Sequence, residues 1–299
     1  MPDSSLDDKI WALATLSVSN VRALPDDASE LVSQVMMGTP LKVLENNNKW
    51  YKIQTPEKYI GWMDSSGFQL FTANEMKSWR KSDRYLYNNI SGLAYDEPAL
   101  RGNHITDLVL GDLFEAEPAV NGFLKLTTPD CRIGYVPMAE TVSFDDWSCS
   151  EPSVESLVRL ARQMMGFPYL WGGASSKAVD CSGFVKLVYY FQGIILARDA
   201  SQQARYGESI EFNNIDNLQT GDLLFFGSSA QRISHVGIYL GEGNLIHSSG
   251  RVHISSIVPG DLKYVIDRKN QGACRIMNSL NTEGIVRVKD HLWYTEKSN

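Results

Sequence analysis

Cys181 stands at the head of Asp180-Cys181-Ser182-Gly183-Phe184, with Val185, Leu187, Val188 and Phe191 behind it at helical spacing. That pattern predicts a helix with one buried face, starting at or just after the cysteine. Backbone N–H groups and the dipole at a helix start favour a thiolate. Downstream, Gly221-Asp-Leu-Leu-Phe-Phe reads as a buried strand after a turn. Ser234-His235-Val-Gly-Ile-Tyr-Leu reads as a strand with a histidine at its start, and Asn244-Leu-Ile-His247 puts a second histidine at the end of another. Two such histidines can meet one helix start across a cleft. A cysteine nucleophile needs a base, and the base needs a partner to orient it. Taken singly, each residue also has a packing reading: a buried cysteine is often inert, and a lone histidine is often a satisfied core or surface group. The ordered set favours chemistry and predicts one reactive, low-pKa thiol among the four cysteines. Cys131, Cys149 and Cys274 complete that count, and no two of the four have CxxC or zinc-ligand spacing. No metal site and no cofactor are expected.

Phe167-Pro-Tyr-Leu-Trp-Gly-Gly, Asp180-Cys-Ser-Gly-Phe, Gly221-Asp-Leu-Leu-Phe-Phe, His235-Val-Gly-Ile-Tyr and Ile246-His247 together resemble the NlpC family of cell-wall cysteine peptidases, which are papain-like. The resemblance spans roughly residues 153–275. Its nearest sub-type joins two SH3-like domains to the peptidase and hydrolyses the γ-D-glutamyl-L-diamino-acid bond of peptidoglycan stem peptides with a free N-terminal L-Ala. The resemblance implies that Cys181 attacks the γ-glutamyl carbonyl to form a thioester. His235 exchanges the proton, and His247 orients His235. The Cys181 backbone N–H is an oxyanion donor, and Tyr169 is a cleft wall or oxyanion residue. Asp180 and Ser182 match substrate-contact positions. Asp199 matches an aspartate that binds the free α-ammonium. Ala200 stands where some members have serine, so Ser201 is a substitute contact. Tyr59 is the candidate for a substrate-lining tyrosine from the first SH3-like domain, and Trp171 is a candidate cleft wall. His104, His253 and His291 lie in no motif and read as structural or exposed, with His253 in reserve for His247.

The segments that position these residues are of two kinds. Gly38, Lys52, Thr55, Pro56, Ile60 and Gly61 recur as Gly111, Lys125, Thr128, Pro129, Ile133 and Gly134, each pair 73 residues apart. Short alternating runs such as Trp50-Tyr-Lys-Ile, separated by Asn46-Asn-Asn and Thr55-Pro-Glu-Lys, predict strands and turns in each copy. Val18-Ser-Asn-Val-Arg, Pro25, Gly38 and Gly61-Trp62 resemble bacterial SH3-like domains, and the second copy has lost the Asn-Val-Arg signature. The expected fold is multidomain α+β: an SH3-like barrel over 1–78, a second over 79–146, and a papain-like peptidase domain with a C-terminal extension over 147–299. Phe144 to Pro152 reads as a polar linker, Ser153 as a helix N-cap, and Gly284-Ile-Val-Arg-Val-Lys as a strand.

The chain of 299 residues is 43% hydrophobic and 21% charged. This is a globular profile, not a disordered or disulfide-dense one. The net charge of −7 sits in the front half: residues 1–149 hold 21 acidic and 13 basic side chains, and residues 150–299 hold 14 and 15. Nucleic acid is not expected as a partner. No apolar run approaches the length of a membrane span. Met1 to Lys9 has neither the basic nor the apolar part of a signal peptide.

The expected partners are peptidoglycan stem peptides or muropeptide fragments, and the expected state is a monomer. The expected compartment is the cell envelope or periplasm if a signal peptide has been removed, with the cytoplasm as the alternative. Two rival functions share the same residues: an N-acetylmuramoyl-L-alanine amidase, and a non-catalytic cell-wall-binding protein. The sequence leaves open whether lysine or diaminopimelate follows the γ-glutamyl group. It also leaves open whether the SH3-like domains shape the cleft or dock the wall.

Overall fold

A computed structural model describes residues 8–212, 214–263 and 269–296. Most of the Met1–Lys9 stretch thus lies outside the described residues. The chain divides into two compact units. One runs to Cys149 and includes the tail from Val288; the other is Ser150–Arg287.

In the first unit, β1 (Trp11–Ala14), β2 (Val18–Arg22), β3 (Leu31–Met36), β4 (Pro40–Asn47), β5 (Trp50–Gln54), β6 (Ile60–Asp64) and β7 (Phe68–Phe71) form one antiparallel sheet. Its order is β3-β2-β6-β5-β4-β1-β7. Helix α1 (Ala73–Lys81) follows. Then β8 (Arg84–Tyr87), β9 (Ser91–Tyr95), β10 (His104–Val109), β11 (Leu113–Pro118), β12 (Phe123–Thr127), β13 (Ile133–Pro137) and β14 (Thr141–Ser143) form a second sheet, in the order β10-β9-β13-β12-β11-β8-β14. The two orders match strand for strand, so the 73-residue sequence repeat is a repeated fold. Alternation puts Val21, Leu41, Val43, Ile53 and Met63 in one core and Leu108, Phe114, Leu124, Leu126 and Val136 in the other.

The copies are joined through the turn between β3 and β4. Met37 packs into the core of the second copy. Its N–H donates to Asp112 Oδ1 at 3.0 Å, and its carbonyl accepts from Leu113 N at 3.0 Å. Gly38 has φ +73°, and a Cβ there would sit 1.9 Å from the Leu113 carbonyl oxygen. Glycine is needed on both counts.

Two sequence expectations are corrected here. Phe144–Cys149 is not a linker but helix α2, with Phe144 and Trp147 buried. Ser143 Oγ accepts from Asp146 N at 3.1 Å and so caps its start. A boundary at 146/147 would cut this helix. The tail also does not stay with the peptidase segment. The Trp293 ring meets Trp11 edge-on at 5.2 Å, and His291 Nε2 lies 3.2 Å from the Pro56 carbonyl oxygen, all within the first unit. Burial holds the pKa of His291 below the ordinary imidazole value.

The second unit opens with α3 (Val154–Gln163), capped by Ser153. A short hairpin of β15 (Ala174–Ser175) and β16 (Ala178–Val179) leads into α4 (Cys181–Tyr190). After β17 (Ile194–Leu196) and the single turn α5 (Ala200–Gln203) come β18 (Glu208–Ile210), β19 (Leu223–Ser229), β20 (Arg232–Gly241), β21 (Asn244–Ser249), β22 (Arg251–Ser256) and β23 (Lys269–Arg275). These six strands form a sheet in the order β18-β23-β19-β20-β21-β22. β24 (Ile285–Arg287), the strand read at Gly284-Ile-Val-Arg-Val-Lys, pairs with β17. Helix α4 is buried at every position except Lys186 and packs on β20 and β21, which carry the two histidines. Among the described residues no helix is long and apolar enough to cross a membrane.

Candidate active site

The start of α4 is held by a network of buried side chains. Asp180 is the N-cap: its Oδ1 accepts from Gly183 N at 2.7 Å, and its Oδ2 accepts from Gly172 N at 3.0 Å. Arg198 donates to both oxygens of the same carboxylate, with Nη1 to Oδ1 at 3.1 Å, and Nη1 also reaches Ser182 Oγ at 3.1 Å. Arg198 is 1% exposed. Gln203, equally buried, donates to the carbonyls of Ser182 and Ala197 at 3.1 and 2.9 Å. Gly183 is required because a Cβ there would sit 2.0 Å from the Gly173 carbonyl oxygen. The Asp-Cys-Ser-Gly motif is therefore a packing solution that fixes where Cys181 begins its helix.

The Cys181 thiol lies against the backbone N–H groups of Ser182 and of Val236, the residue after His235. Burial, and after it the Asp180 carboxylate, push its pKa up to about 11. The Val236 and Ser182 N–H groups and the Arg198 charge pull the other way and do not prevail. The low-pKa thiol expected from the helix start is thus corrected. Desolvation outweighs the dipole when the sulfur is buried.

His235 Nε2 and His247 Nδ1 are 2.8 Å apart, with the rings nearly perpendicular at 84°. His247 Nε2 lies 2.9 Å from Ser255 Oγ. His235 and His247 are buried, and Ser255 has no exposure at all. β21 and β22 set this up: His247 pairs with His253, and Ser255 is two residues further along β22 on the same face. His253 lies against His247, ring centroids 4.5 Å apart and tilted by 50°, its Nδ1 2.9 Å from the Arg251 carbonyl oxygen. His253 therefore sits beside His247 and does not displace it.

The other sequence-derived residues are placed less closely. Tyr169 is half-buried; its N–H donates to the Gly250 carbonyl at 3.0 Å, and it bridges to Val179 just before Asp180. Trp171 is 63% exposed. Asp199 is half-buried at the start of α5, which packs on β20. Its N–H donates to Gln202 Oε1 at 3.2 Å, and Ser201 is half-buried on the same turn. Tyr59 belongs to the first unit, where its carbonyl accepts from Thr55 N at 2.9 Å. Ser255 and the buried pairing of Arg198 went unread in the sequence. A charged residue directly behind the apolar run Ile194-Ile-Leu-Ala was the only signal for Arg198, and nothing local marked Ser255. Among the described residues no cluster of three or more His, Cys, Asp or Glu is placed to hold a metal ion.

Residues 166–268 match the NlpC/P60 family, and residues 17–69 match the bacterial SH3 domain. The chain carries an NlpC/P60 domain behind a bacterial SH3-like region. The NlpC/P60 match contains Cys181, His235 and His247, and the SH3 match runs from β2 into β7 of the first of the two repeated sheets. Dipeptidyl-peptidase 6 of Lysinibacillus sphaericus is 28% identical over 262 residues, covering 82% of this chain and 91% of that protein. The γ-D-glutamyl-L-lysine dipeptidyl-peptidase of Bacillus cereus is 26% identical over 271 residues, covering 85% of this chain and 74% of that one. A crystal structure of an NlpC/P60 family protein from Bacillus cereus shares the fold, with a TM-score of 0.75 at 21% identity over 89% of this chain and 99% of that one.

Proposed function

We propose that this NlpC/P60 domain is a cysteine peptidase that hydrolyses the bond between γ-D-Glu and an L-diamino acid in peptidoglycan stem peptides with a free N-terminal L-Ala. The observation that carries the reading is the His235–His247 contact on the strands that pack against the helix Cys181 begins. The activity named for the Bacillus cereus relative supports the choice of bond.

His235 Nε2 is engaged by His247, so proton exchange with Cys181 falls to Nδ1. The resting thiol is neutral, and its proton moves to His235 as sulfur attacks the γ-glutamyl carbonyl. The first-turn N–H of Cys181, which has no acceptor within the helix, faces the developing oxyanion. Collapse breaks the C–N bond, and the imidazolium returns its proton to the leaving amine. Water, deprotonated by His235, then cleaves the thioester and frees the thiol. Tyr169 and Trp171 wall the cleft. Asp199, with Ser201 beside it, receives the α-ammonium of L-Ala in a charge-assisted hydrogen bond, and acylation of that amine removes the charge.

The test is a paired digestion of L-Ala-γ-D-Glu-L-Lys and the same peptide acetylated on its α-amine, with Cys181→Ala as control. Release of L-Ala-γ-D-Glu from the free peptide only is expected. Equal cleavage of both peptides would remove the ammonium site. No cleavage above the control would remove the peptidase reading.

A further inference from the structure

We infer that Ser255 is a positioning residue that sets the tautomer of His247 and, through it, the tautomer of His235. The inference deepens the peptidase reading and rests on it for its catalytic consequence, though not for its structural one.

The argument is proton counting. A neutral imidazole carries one N–H. Across the 2.8 Å contact between His235 Nε2 and His247 Nδ1, one nitrogen donates and the other accepts. If His247 Nδ1–H donated, a neutral His235 would hold its proton on Nδ1, the atom left for Cys181, and would be no base there. If His235 Nε2–H donates, Nδ1 keeps its lone pair and can take the thiol proton. His247 then carries its own proton on Nε2 and, being buried, needs an acceptor from the protein. Ser255 Oγ, 2.9 Å from that nitrogen and on a residue with no exposure, is the acceptor.

The neighbours leave this assignment intact. The rings of His235 and His253 lie against His247, at 4.9 and 4.5 Å. The His253 ring is tilted at 50° to it, and its Nδ1 is turned to the Arg251 carbonyl. Both His247 nitrogens are therefore engaged by His235 and Ser255. A hydroxyl both donates and accepts, so it can follow His247 while His235 becomes an imidazolium. An alanine leaves a buried N–H without a partner, which favours moving the proton to Nδ1 and giving His235 the wrong tautomer.

The test uses the full-length protein with 15N-labelled histidine at about pH 8, above the ordinary imidazole titration. Only five histidines are present, so single replacements of His104, His253 and His291 assign the spectrum. Expected in the wild type is His247 with Nε2 protonated and Nδ1 bare. In Ser255→Ala the proton shifts toward Nδ1, and kcat on L-Ala-γ-D-Glu-L-Lys falls about 10- to 100-fold at unchanged KM. Ser255→Thr, which restores a hydroxyl, recovers the wild-type tautomer and most of kcat. A wild-type His247 protonated on Nδ1, or a Ser255→Ala variant with unchanged tautomer and kcat, overturns the inference. Because the tautomer is read without turnover, an inactive wild type would overturn the peptidase reading while the spectrum still decided the role of Ser255.

Discussion

Arg198 holds both carboxylate oxygens of Asp180, the residue that caps the helix begun by Cys181. The pair lies in the interior: the side chains are 1% and 10% exposed. Its worth is not its Coulomb attraction, which desolvation largely cancels, but the cost of leaving either charge alone. It follows that Asp180 and Ser182, which the sequence assigns to substrate contact, meet their hydrogen-bonding needs inside the protein.

Arg198→Met strands the Asp180 carboxylate and is expected to cost about 3–5 kcal/mol of unfolding free energy. Adding Asp180→Asn removes the stranded charge while keeping an acceptor for Gly183 N, so the double variant recovers part of that stability. Urea denaturation of the three proteins measures both effects. An Arg198→Met variant within about 1 kcal/mol of wild type would show that the pair is not under strain from burial.

The thiol is expected to be sluggish before substrate binds. A raised pKa means less thiolate at every pH below it, and burial with Asp180 puts that of Cys181 at about 11. Its alkylation by iodoacetamide should climb through pH 9 and beyond, with no plateau near neutrality. Exposed Cys131 and Cys149 should be modified first at pH 7.5 and serve as internal references. Peptide mapping by mass spectrometry reads all of these in one sample. A fast plateau for Cys181 below about pH 7 would instead mean a standing thiolate–imidazolium pair with His235.

What the sequence showed and what it hid divide along a physical line. Helical spacing behind Cys181 and the strands around His235 and His247 are local patterns, and they are found where periodicity puts them. The 73-residue repeat was legible because turns and alternation recur with it, and both sheets have the same strand order. Ser255 was not legible, because its importance comes from a diagonal across two strands. Arg198 was not, because its partner lies 18 residues away. The misread linker at Phe144–Cys149 shows the opposite error. Its polar residues suggest a linker, while Phe144 and Trp147, three apart, form the buried side of a short helix.

The join between the repeated sheets gives the last prediction. Gly38 and Gly122 both have positive φ, +73° and +75°, so alanine at either bears about 1–2 kcal/mol of left-handed backbone cost. Only at Gly38 does the added Cβ also meet something, the Leu113 carbonyl oxygen at 1.9 Å; at Gly122 nothing lies within 4 Å. The Leu113 N–H is the donor to Met37, so moving that backbone aside disturbs the bond that joins the copies and the seat of Met37 in the second core. Gly38→Ala should therefore destabilise the protein well beyond Gly122→Ala in urea denaturation. It should also expose amides of both sheets together in hydrogen exchange, while Gly122→Ala affects its own turn. Equal destabilisation by the two would mean that the turn yields without cost and that the two copies are held together chiefly by other interactions, such as Arg132 Nη2 to the Thr15 carbonyl at 2.9 Å.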